Sequence, residues 1–76
     1  MATVRSPAHA AFGGAVRELR RERRLSQEEL GHRSGLHRNY VGGIERGELN
    51  PTLASMTKLA EAFALRVSDL VRRAEP

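Results

Sequence analysis

Residues 26–47 read SQEELGHRSGLHRNYVGGIERG. Ser26, with Glu29 following in the first turn, forms a capping box in which each side chain satisfies a free backbone amide. It opens a helix predicted over Gln27–Ser34, and Gly35 supplies a left-handed stop. Leu36 plugs the turn. A second helix is predicted over Arg38–Arg46, ended by Gly47. Two short helices around a tight turn containing glycine make a helix-turn-helix, here at about residues 27–46. Gly31 puts a small residue where the two helices cross.

The pair Gly42–Gly43 needs a reason, because each interior glycine costs a helix about 0.5–1 kcal/mol relative to alanine. On a wheel of about 100° per residue, Val41 and Ile44 define the inward side. Asn39, Gly42, Gly43 and Arg46 share the opposite side, flanked by Arg38 and Tyr40. The expectation is an outward face that takes no part in packing inside the domain. It is smooth in the middle and polar at its tips. Such a face suits a DNA major groove, which just admits one helix.

Working outward, Phe12, Val16 and Leu19 form an apolar helical stripe that starts from about Ala10. Between them the run RELRRERR, residues 17–24, reads as a solvated face with an arginine-rich end. Residues 1–9 read as a loose arm, and 10–74 as the domain. On the other side, Pro51 forces Asn50 away from helical angles. Thr52 then caps a helix with Leu53, Met56, Leu59, Ala60 and Phe63 on one stripe. Ser68 is expected to cap a last helix that turns Leu70 and Val71 inward. No strand pattern appears. The fold class is all-α, with five helices.

Composition narrows the function. Seventy-six residues make one small domain. With no cysteine there is neither a disulfide nor a thiolate metal site. His9, His32 and His37 have no carboxylate cluster at ligand spacing, so no metal and no cofactor are expected. Ser26 has no base or oxyanion partner, and no catalytic constellation appears; the chain does not read as an enzyme. No apolar run approaches the ~18 residues of a membrane span, and no signal-type segment opens the chain, which predicts a cytoplasmic protein. Thirteen Lys and Arg residues against nine Asp and Glu leave a net charge of +4, a modest pointer to nucleic acid. Lys58 is the sole lysine, a ratio that GC-rich codon usage also produces. A chain this small gains stability by pairing with a second copy.

The stretch LSQEELGHRSGLHRNYVGGIERGELNPTLASMTKLAEAF resembles the lambda-repressor-like, Cro-type helix-turn-helix domain of the XRE family. The resemblance covers roughly residues 12–71. Within that family, NYVGGIERG and NPTLASMTKLAEAF are most similar to the small controller proteins of restriction–modification systems. The resemblance implies a transcription regulator that binds double-stranded DNA as a homodimer on a near-palindromic operator. The second helix of the motif would be the recognition helix, with Arg38, Asn39 and His37 at base-reading positions. Gln27, Tyr40, Gly43 and Arg46 would meet the DNA backbone. Glu45 would pair with Arg20 to clamp the first helix to the third. The dimer surface is expected around Leu65, Val67, Leu70 and Val71, with the start of the fourth helix. RNA polymerase is a candidate further partner, and no small-molecule ligand is expected. Three residues depart from the family pattern. His37 replaces the usual capping residue, Gly42 replaces a serine, and Ala64 stands where glycine or asparagine usually ends the fourth helix. The alternative reading is an antitoxin that binds a toxin protein and represses its own operon. Residues 1–9 and 72–76 leave little chain for a toxin-wrapping extension.

Overall fold

Ser6 and Pro7 start the first helix. The Ser6 Oγ accepts the His9 N–H at 3.0 Å, and proline fits the first turn because its missing donor would be unpaired there anyway. Helix α1 (Pro7–Glu22) therefore begins three residues before the expected Ala10. The computed structural model describes residues 6–75, so residues 1–5 of the expected arm lie outside the described residues, while 7–9 are helical. After α1 come α2 (Gln27–Ser34), α3 (Arg38–Glu45), α4 (Leu53–Ala62) and α5 (Val67–Ala74). Among the described residues there is no strand, and no helix is long and apolar enough to cross a membrane.

The first four helices all end the same way. In each, a residue with positive φ reverses the chain: Arg24 (56°), Gly35 (76°), Gly47 (72°) and Ala64 (59°). The next residue's N–H then reaches back five positions: Leu25 to Arg20, Leu36 to Gly31, Glu48 to Gly43, and Leu65 to Ala60, at 2.8–3.0 Å. This is the Schellman closure, which satisfies a carbonyl that the helix leaves free and folds an apolar residue back onto the last turn. In three of the four turns that residue is leucine, and all three pack into or against the core. Two of the reversals fall on residues with a Cβ, where the left-handed conformation costs about 1–2 kcal/mol.

The core is built from Phe12, Val16, Leu19, Leu25, Leu30, Val41, Ile44, Leu59, Ala60, Phe63 and Leu70. It lies where α1 packs on α3 and α5, α2 packs on α3 and α4, and α4 packs on α5. Arg23 ties the ends of α1 and α4 together. Its guanidinium donates to the Phe63 carbonyl at 2.9 Å and lies 5.6 Å from the centre of the Phe63 ring. Arg73 of α5 pairs with Glu18 and Glu22 of α1. The arginine run of α1 is thus only partly a solvated face.

Three expectations are corrected. Leu53 is 67% exposed, because the first turn of α4 points it away from the core. Val71 is 37% exposed beside the fully buried Leu70, since adjacent helical positions diverge by about 100°. The last helix is capped at Arg66, not Ser68. Asp69 in its first turn accepts the Arg66 N–H at 3.2 Å.

α1 and α3 touch backbone to backbone. A Cβ at Gly13 would stand 2.1 Å from the Ile44 carbonyl oxygen and 2.8 Å from that of Glu45. Gly47, past the end of α3, also approaches α1, more loosely: a Cβ there would stand 3.0 Å from Ala10 Cα. Two substitutions should therefore shift stability in opposite directions. Gly13→Ala must push the helices apart and should cost about 3 kcal/mol or more, beyond ordinary overpacking. Ala64→Gly relieves the left-handed penalty and should gain about 1 kcal/mol, or roughly 4–8 °C in Tm. Thermal unfolding by circular dichroism measures both.

Candidate nucleic-acid interface

α3 is a short helix held at both ends. At its start the His37 Nδ1 accepts the Asn39 N–H at 3.0 Å. His37 thus does the work of the missing serine or aspartate cap, and its ring must carry its proton on Nε2. At its end the Gly47 reversal rests on α1. Val41 and Ile44 are 0% and 1% exposed and anchor the inner side. Arg38, Asn39 and Arg46 are exposed on the outer side. Arg38 has only a loose ion pair with Glu28, at 3.5 Å with both side chains about 60% exposed. Such a pair is worth little and yields readily to a better partner. Arg46 Nε lies 3.1 Å from Glu48 Oε1.

The glycine pair is not the uncovered face expected from the wheel. Both glycines are buried. The side chain of Leu49, from the loop after α3, lies directly over Gly43. A Cβ there would meet Leu49 Cδ1 at 2.5 Å. Gly43 therefore serves packing inside the domain and is withdrawn from the outer surface. Gly42 is covered by the tips of Gln27 and Arg46. The wheel gave the direction of these positions correctly. What it cannot represent is a side chain arriving from a loop or from the next helix.

Glu45 is the buried hub behind α3. Arg20 grips it with two bonds, Nε to Oε2 at 2.7 Å and Nη2 to Oε1 at 3.0 Å. The exposure of the two side chains is 13% and 3%. Arg20 Nη1 also donates to the Leu25 carbonyl at 3.0 Å, in the turn that follows α1. Gln27, first residue of α2, donates its Nε2 to Glu45 Oε1 at 3.0 Å. One carboxylate thus joins α1, α2 and α3. Hydrogen bonding to Glu45 raises the Arg20 pKa further above its ordinary value, against the opposing effect of burial. Gly31 lies at the α2–α3 junction, where a Cβ would stand 2.5 Å from the Leu36 carbonyl oxygen. Tyr40 is half-buried, and its hydroxyl shares a 3.0 Å hydrogen bond with Ser55 of α4.

Of the residues expected to pair two copies, Leu65 and Val67 are half-buried, and Val71 is partly exposed. Leu70 is 0% exposed and is committed to the core of its own chain. Among the described residues the exposed large apolar side chains are Leu49, Leu53 and Val71, and of these Leu53, at the start of α4, and Val71 fall within the expected surface. Beside Val71 runs a groove of about 670 Å³, lined by apolar residues including Pro7, Phe12, Pro51, Met56 and Ala74. Among the described residues, no group of three or more His, Cys, Asp or Glu side chains is arranged to hold a metal ion.

A two-helix unit braced from behind, with polar tips on its outer face, defines a DNA-binding helix-turn-helix. Comparison with known proteins agrees. The helix-turn-helix family model matches residues 16–70. The control protein C.SmaI of Serratia marcescens is 47% identical over 58 residues, covering 76% of this chain and 69% of that protein. The control protein C.BamHI of Bacillus amyloliquefaciens is 38% identical over 61 residues, covering 79% and 75%. The crystal structure of the restriction–modification controller protein C.AhdI from Aeromonas hydrophila superposes with a TM-score of 0.79 at 47% identity, covering 82% of this chain and 94% of that one. The chain belongs to the helix-turn-helix family, in its XRE-type form, and is a transcription regulator of the restriction–modification controller type.

Sequence reasoning missed Leu49, Gly13 and Arg23. Gly13 carried a signal, since it lies three residues before Val16, at the edge of the apolar stripe of α1. Leu49 carried a weaker one, as a lone apolar residue in a polar loop. Two measurements test this architecture. Arg20→Met strands the Glu45 carboxylate and should cost about 3 kcal/mol, whereas adding Glu45→Leu should recover part of the loss; urea unfolding of both variants decides. At the start of α2, Glu29 is held below its ordinary pKa, chiefly by the Ser26 backbone N–H and next by the Ser26 hydroxyl. Its contribution is complete above the ordinary carboxylate range and fades as pH falls through the lowered value. Glu29→Gln should flatten that acid dependence of the urea midpoint.

Proposed function

We propose that this protein reads a specific double-stranded DNA sequence as a homodimer, on a near-palindromic operator, and regulates its own operon in the manner of a restriction–modification controller. The observation that carries this reading is the outer face of α3. Arg38, Asn39 and Arg46 stand exposed there while the Arg20–Glu45–Gln27 cluster braces the helix from behind. Arg38 suits a bidentate pair with guanine, and Asn39 one with adenine. His37 keeps its cap and presents an Nε2–H donor to a base or phosphate. Tyr40 and Arg46 flank these groups towards the phosphates, and Gln27 opens a helix whose N-terminus favours an anion.

Two protomers would set their recognition helices about 34 Å apart in successive major grooves. Leu53 and Val71, with the apolar groove beside α5, are the surface we assign to pairing, and half-buried Leu65 and Val67 border it. Occupancy would then follow protein concentration, because dimerisation and site binding rise together.

Selection from a random duplex library at near-physiological salt tests the reading. The expected result is an enriched two-fold symmetric motif with half-sites about one helical turn apart. Arg38→Ala should lose about 1–3 kcal/mol and relax one base position per half-site. Binding blind to sequence would turn the search to a protein partner. Sedimentation tests the pairing surface: Leu53→Asp should shift the protein towards monomer without unfolding it, since Leu53 is 67% exposed. A wild-type protein that stays monomeric on and off DNA removes the dimer.

A further inference from the structure

Gly42 has no side chain, yet the space in front of it is filled from two directions. A Cβ built there would stand 3.0 Å from Arg46 Nη1, 3.3 Å from Gln27 Oε1 and 3.6 Å from Gln27 Nε2. A guanidinium from the end of α3 and a carboxamide from the start of α2 therefore converge over one bare backbone position. The orientation of the carboxamide is fixed. Its Nε2 donates to Glu45 Oε1 at 3.0 Å, and a carboxylate only accepts, so the nitrogen must face Glu45. Glu45 is held in turn by two bonds from Arg20. The Gln27 oxygen is thereby turned to the space over Gly42 that Arg46 Nη1 also approaches, on the flank of the outer face of α3.

This pairing of a donor with an acceptor is poorly suited to a phosphate. A phosphate oxygen only accepts and would be repelled by the Gln27 oxygen. Guanine also mismatches, because N7 and O6 both accept. Adenine fits, because its major-groove edge carries an acceptor, N7, beside a donor, the N6 amino group. We infer that Gln27 and Arg46, seated over Gly42, form one composite reader of adenine: Arg46 donates to N7, and the N6 amino group donates to Gln27 Oε1. Resting on the recognition-helix reading above, this moves Gln27 and Arg46 from backbone contacts to base contacts and makes Gly42 a specificity-determining position. Glu45 becomes a positioning residue, since it sets which end of the Gln27 amide faces the base.

Gly42→Ser is the decisive variant. It places a side chain in the shared seat, and the atoms it meets are the far ends of two flexible side chains. It also improves the helix propensity of α3, so the fold is retained, as an unchanged or raised Tm will verify. Selection on random DNA is run in parallel with the wild type. The expected outcome is one adenine per half-site that the wild type requires and Gly42→Ser no longer distinguishes, the other positions remaining unchanged. On the wild-type site, that adenine is then replaced by 2-aminopurine, which still pairs with thymine but has no amino group at C6. Wild-type affinity should fall about tenfold, within the range for losing part of a bidentate base contact. Gly42→Ser and Gln27→Ala should bind the two duplexes about equally. If the wild type selects no motif, the recognition-helix reading itself fails. If it selects a motif that Gly42→Ser reads identically, or if the variant loses affinity uniformly, the composite reader alone is overturned.

Discussion

The geometry depends on a single close approach, that of α1 and α3 at Gly13. With no Cβ in the way, the carbonyls of Ile44 and Glu45 come to rest on the α1 backbone. That contact sets the distance at which Arg20 reaches Glu45, and hence where Glu45 meets Gln27. Steric exclusion thus comes first and charge pairing second. An ion pair drawn from water gains net energy only when its geometry is close to ideal, and here the backbone contact supplies that geometry. The outer face of α3 is presented at a fixed height above the domain for the same reason.

Much of this was legible in the sequence because it rests on local rules. The capping box at Ser26 and Glu29, the stop at Gly35, the cap at Thr52 and the inward positions of Val41 and Ile44 all follow from short-range spacing. What failed had tertiary causes. Leu49 covers Gly43 from outside α3, and no wheel drawn on one helix contains Leu49. Leu53 follows the stripe of α4 by spacing, yet the first turn projects past the core. Leu70 and Val71 were grouped as one surface, although neighbouring helical residues diverge and only Val71 reaches solvent. α1 starts earlier than the loose arm expected over residues 1–9 allows, because Pro7 follows the Ser6 cap and there initiates a helix.

The four helix ends repeat one backbone solution with different side chains. Gly35 and Gly47 adopt the left-handed reversal freely, while Arg24 and Ala64 adopt it under strain. The strained turns join α1 to α2 and α4 to α5. The unstrained ones bracket α3, the element with the strictest positional demands. Strain is tolerated where the following leucine, Leu25 or Leu65, packs well enough to offset it.

The isolation of the outer face of α3 also shapes how such a protein changes over generations. Arg38, Asn39 and Arg46 lie outside the core, and their ion pairs are at the surface. Substitution there leaves Val41, Ile44 and the Glu45 hub untouched. Within and just past α3 the anchoring residues and the exposed ones are thus distinct, and on the reading proposed above folding and address meet only at the Glu45–Gln27 contact. On that reading a lineage would drift from one target to another by a few surface replacements without passing through an unfolded intermediate, which is the condition under which one small scaffold diversifies into many regulators.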